Sequence, residues 1–153
     1  MNRQIETLRK TRAFTLSVIN ELTVEQLNKI PEGFNNNIVW HLGHLLASKQ
    51  GVCYVRSGNP VTIDEHLFNN HRPGTKPEGL VNGEEVETIK GLLISVLDQF
   101  ETDYENHVFD NYTSWTTRYG VELNNIEEAL DFIIYHEGLH LGYIMALKKL
   151  VNN

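Results

Sequence analysis

Apolar residues recur every three or four positions in four separate stretches of this chain, and that spacing predicts a helical architecture. The first stretch runs from about Arg3 to Leu22, with Ile5, Leu8, Thr15, Ile19 and Leu22 along one side. The second follows Asn35, Asn36 and Asn37, any of which can cap it, and continues to about Ser57. Ile38, Val39, Trp40, Leu42, Leu45, Leu46 and Val52 cover so much of its circumference that heavy burial is expected. The third, about Glu84 to Asn106, places Val86, Ile89, Leu93, Val96, Leu97, Phe100 and Tyr104 on one stripe. The fourth opens at Asn124 and Asn125 with Glu127 behind them, a cap followed by an acid, and runs to about Leu150. Thr23 and Gln26 form a capping box that should open a short helix ending before Pro31. Residues 58–83 hold three prolines, Pro60, Pro73 and Pro77, among glycines and paired asparagines, and read as a long loop. Tyr112, Trp115, Thr116, Thr117 and Tyr119 allow a short extended piece between residues 107 and 123. Four helices with one apolar stripe each bury it best as an all-α four-helix bundle. At 153 residues the chain is expected to form one domain, 1–153.

Charge and cysteine content narrow the function. Net charge is −7 with no Lys/Arg block, which argues against nucleic acid as the main partner, since that binding needs a basic face to displace counterions. The single cysteine, Cys53, excludes an intrachain disulfide and a cysteine-based zinc finger. Set between Val52 and Tyr54, it reads as a buried structural thiol. The N-terminus is polar, and apolar runs are only a few residues long. No membrane span or signal core is therefore expected, and the cytoplasm is the expected location.

The histidines carry the chemistry. On the fourth helix Ile126, Ala129, Ile133, Ile144, Leu147 and Val151 trace a seam, and His136 and His140 fall inside it, one turn apart on the same face. Two imidazoles in a bundle interior are costly unless something satisfies them, and a shared metal ion does so. The stretch from His136 to His140 also spells H-E-x-x-H, the metalloprotease motif in which the glutamate is general base. The extended form of that motif is missing, because Gly142 comes two residues after His140 and no Asp, Glu or His follows. A third ligand must come from upstream. His41 and His44, three residues apart on the second helix, can both face one site, and either could complete the set. His66, His71 and His107 lie in or beside loops and read as solvated.

The stretch N-x-I-x-W-H-x-G-H-L from Asn36 to Leu45, followed by H-E-x-x-H-x-G from His136 to Gly142, resembles the DinB/YfiT-like superfamily of metalloenzymes. The resemblance spans nearly the whole chain, including the long middle loop with Gly74 and Pro77. It implies an up-down-down-up bundle with one divalent metal, zinc or nickel, held by His44, His136 and His140. His41 then becomes a pocket residue beside the ligands. Many relatives read H-x-G-Q-I after the last histidine, where this chain has Tyr143 before Ile144, so the phenol should alter the pocket.

Relatives of known activity are mainly thiol-dependent transferases, with a maleylpyruvate isomerase among them. The resemblance thus implies a metal-dependent enzyme acting on a small molecule, with the joining of a low-molecular-weight thiol to an electrophile, a thiol S-transferase reaction, the leading one. A hydrolase using activated water is the alternative, and a non-catalytic metal-binding stress-response protein is a third. Glu137 is a candidate acid or base, although it points about 100° away from His136 and could equally be an inter-helical carboxylate. Trp40, His41 and Tyr143 are the candidate pocket residues, and the 58–83 loop a candidate cover. A second copy of the chain is an expected partner.

Overall fold

The computed structural model describes residues 2–152. Four long helices carry the fold: α1 (Asn2–Ile19), α3 (Ile38–Lys49), α5 (Gly83–Glu105) and α6 (Ile126–Val151). Two short ones, α2 (Val24–Asn28) and α4 (Glu65–His71), lie in the connections. β1 (Trp115–Thr116) and β2 (Glu122–Leu123) form an antiparallel hairpin pairing Trp115 with Leu123 before α6 begins.

Local chemistry starts these helices where the side chains can satisfy exposed backbone N–H groups. Thr23 and Gln26 close the expected capping box on α2. Asn37 caps α3, and Asn125 caps α6. Asn82 and Glu85 form a second box at the start of α5. The second helix reaches Ser57 as expected, but it is not regular α-helix throughout: it passes through a π-helical turn, Gln50–Tyr54, and a 3₁₀ turn, Val55–Ser57, before Gly58 ends it with φ 76°. The 58–83 segment is not wholly loop either. Asp64 accepts a hydrogen bond from the Leu67 N–H and caps α4, which packs on α3.

α1 and α3 each pack against both α5 and α6. The core between them is divided in two. One apolar cluster includes Ile19, Ile38, Leu42, Leu45, Leu93, Ile144 and Leu147. The other includes Ile5, Leu8, Cys53, Tyr54, Leu97, Phe100 and Ile133. α1 and α6 therefore run from the second cluster toward the first, and α3 and α5 run the other way. Between the clusters lies a buried polar layer: Arg12 and Thr15 on α1, Lys49 on α3 and Glu137 on α6. His44 and His140 are buried beside it. Burying polar groups in mid-bundle costs free energy unless each is partnered, so the partners in this layer carry information.

Candidate metal centre

α3 and α6 lie side by side, and each contributes two histidines to one cluster. His44, His136 and His140 each offer a ring nitrogen, and the three atoms lie within 4.8 Å of one another. Ring centroids are 4.4 Å apart for His136 and His140, 4.7 Å for His44 and His140, and 5.2 Å for His44 and His136. His44 and His140 are buried and His136 is partly so.

Hydrogen bonds fix much of the protonation pattern. His44 Nδ1–H donates to the carbonyl of His71 at 2.6 Å, because a carbonyl can only accept. The lone pair of His44 is thereby left on Nε2, where the Ser48 hydroxyl donates at 3.0 Å. Trp40 stacks on the His44 ring, 4.6 Å between centroids and 13° from parallel. His41 is not one of the trio; its Nδ1 meets His140 Nδ1 at 2.8 Å, and Tyr143 stacks on the His41 ring with centroids 5.5 Å apart. A bond from His140 Nδ1–H to His41 would leave the His140 Nε2 lone pair facing His136 Nε2 at 3.2 Å.

This donor set fits a divalent ion. Two nitrogens on a tetrahedral zinc, each about 2.0–2.1 Å from it, stand about 3.3 Å apart, close to the 3.2 Å between His136 and His140. Burial also keeps the imidazoles unprotonated: it lowers His41 and His136 to about 4 and His140 to about 2, with neighbouring charges adding to the effect, and lowers His44 as well. Neutral imidazole is the form that ligates metal. His136 Nδ1, the ring nitrogen that does not face His140, has no hydrogen-bond partner among the described residues.

The remaining histidines divide. His66 and His107 are exposed, but His71 is buried, so the solvated reading of His71 is corrected. Its Nδ1–H donates to the Leu67 carbonyl at 2.8 Å, and its ring lies over Gly43. A Cβ added at Gly43 would stand 2.3 Å from the His71 ring. In an open helix Gly→Ala gains up to about 1 kcal/mol. Here overpacking of about 1–3 kcal/mol should win, so Gly43→Ala is expected to lower the melting temperature, measurable by circular dichroism. The motif glycine between His41 and His44 therefore had a packing cause in α4 that the sequence pattern alone did not disclose.

Glu137 faces away from the histidines. Arg12 Nη2 and Nε reach one of its oxygens at 2.5 and 3.1 Å, and Nε reaches the other at 3.1 Å. Arg12 is 0% exposed and Glu137 1%. The structure thus gives Glu137 the inter-helical position. Beyond His136, Phe132 lies 6.0 Å from the imidazole and, with Tyr119 and Tyr135, lines a cavity of about 410 Å³. A second cavity, about 280 Å³, is lined by Trp40 of α3, His71 of α4, and Lys76 and Pro77 of the segment that follows α4.

A helical bundle with a buried histidine trio is the architecture of a metal-binding protein. The chain belongs to the DinB superfamily, whose family model matches residues 7–144. No match was found among curated proteins. Among the described residues, no helix is long and apolar enough to cross a membrane.

Proposed function

We propose that this protein is a metal-dependent enzyme of small-molecule substrates, holding one zinc or nickel ion with His44, His136 and His140 and joining a low-molecular-weight thiol to an electrophile. The observation that carries the reading is the trio itself: three neutral nitrogens converge, and the group includes no fourth protein ligand among the described residues. Closed structural sites use four protein ligands, and catalytic sites leave a position open. When bound, such an ion supplies a place where a thiol or a water loses its proton near neutral pH.

The chain's own residues do the rest. His41 orients His140, and the His71 carbonyl orients His44. The cavity beside Phe132 is of a size that takes a small organic molecule, and it adjoins the site through Phe132, none of the three histidines being in its wall. A bundle of this kind offers no long sheet edge for an extended peptide, which speaks against proteolysis.

Protein purified without an affinity tag should bind one divalent metal per chain. Alanine at His44, His136 or His140 should remove that stoichiometric binding, and His41→Ala should leave most of it. In the cobalt form, a small thiol should add a thiolate-to-metal charge-transfer band. Tight binding that survives His44→Ala would overturn the ligand set. Hydrolysis by the metal-loaded protein with no thiol-dependent spectral change would favour the activated-water reading.

A further inference from the structure

The polar layer joins three helices through one side chain. Arg12 stands on α1, donates from Nη1 to the Leu93 carbonyl of α5 at 2.8 Å, and grips the Glu137 carboxylate of α6 with its Nε and Nη2. Both partners are all but inaccessible to water. A pair so dry is a poor source of net stability, because desolvation offsets most of its attraction. What a fork on a carboxylate does supply is direction, since its bonds fix angle as well as distance.

That direction acts on the helix that carries two of the three histidines. Glu137 follows His136 by one residue and precedes His140 by three, so it projects between them in height and to one side of both. An imidazole nitrogen stands about 6 Å from the helix axis, and a roll of α6 by about 10° would carry it about 1 Å. Metal–nitrogen distances tolerate only about 0.2 Å. The apolar seam alone, made of Ile133, Ile144 and Leu147, constrains burial more than angle.

From this geometry we infer that the Arg12–Glu137 pair sets the roll of α6, making Glu137 a positioning residue for His136 and His140 and not the proton-transfer group that the H-E-x-x-H spelling suggests. The inference rests on the metal reading above. Its test compares the full chain with Glu137→Gln and with the double variant Arg12→Met/Glu137→Leu. The double variant removes both charges with little change in volume, so it is expected to fold even where the single one does not. Each is loaded with cobalt, its affinity measured by competition with a chromophoric chelator, and its visible spectrum recorded. Loss of about 10- to 100-fold in affinity, with altered cobalt bands in a folded apo protein, is expected. If the folded double variant keeps wild-type affinity and spectrum, the pair serves only the fold and the inference fails. If Glu137→Gln abolishes turnover with affinity and spectrum unchanged, Glu137 acts in proton transfer and the inference fails likewise. Failure of the wild-type chain to bind cobalt would instead sink the metal reading itself.

Discussion

Lys49→Met is expected to make the protein more stable at pH 7, by a few kcal/mol, and to flatten the pH dependence of its stability between pH 7 and pH 9. Lys49 is 1% exposed and its Nζ has no hydrogen-bond partner among the described residues. The ring of Phe100, 3.8 Å away, gives the ammonium partial compensation. Burial, the largest influence, lowers its pKa from 10.5 to about 7. The unfolded chain, with an ordinary lysine, therefore binds more protons than the folded one between those values, and wild-type stability should rise with pH in that window. As pH falls from 10.5 toward 7 the penalty grows, and below 7 it is fully present. Cys53 works in the opposite sense above pH 9, because burial pushes its thiol from 9.0 up to about 12. The clean comparison is thus pH 7 to 9, by urea unfolding of wild type and variant. A variant less stable than wild type at pH 7 would mean that the amine is partnered in solution.

Removing metal should lower the melting temperature without unfolding the protein. An ion bound only by the folded state stabilises it by about 3–4 kcal/mol when its free concentration exceeds its dissociation constant 100- to 1,000-fold. For a domain of this size that corresponds to roughly 10 °C. The apo form should persist because two apolar clusters flank the polar layer, and neither depends on the histidines. Differential scanning fluorimetry with and without chelator measures the shift. Full unfolding on chelation would mark the metal as structural, and no shift would leave the trio without a tightly held ion.

The helices were legible because each repeats its apolar spacing over many turns and begins at a capping side chain. Thr23, Asn37 and Asn125 cap where the sequence placed a cap or a choice of caps. The trio was legible for a related reason: His136 and His140 interrupt a seam at helical spacing. What escaped depends on contacts between distant residues. Arg12 and Glu137 are 125 positions apart, and no local pattern pairs them. Traces of each were present, since Arg12 follows Leu8 by four residues and Glu137 follows Ile133 by four, so both occupy seam positions. Glu137 is in fact more buried than His136. α4 escaped because its seven residues are too few to show a period, and His71 was misread with it.

The π-helical turn divides the second long helix into two parts that can vary separately. A regular helix continuing through Leu45 and Ser48 would turn Val52 and Val55 inward. The wider turn at Gln50–Tyr54 shifts the inward side by one residue, so Cys53 and Tyr54 fill the core while Val55 is 49% exposed. Deleting one residue there would return the turn to regular helix with Cys53 and Tyr54 still facing inward, and leave His41 and His44 where they are. Insertions and deletions beyond Lys49 are thereby insulated from the histidines, and a lineage could remodel the far end of the bundle while inheriting the same ligand geometry.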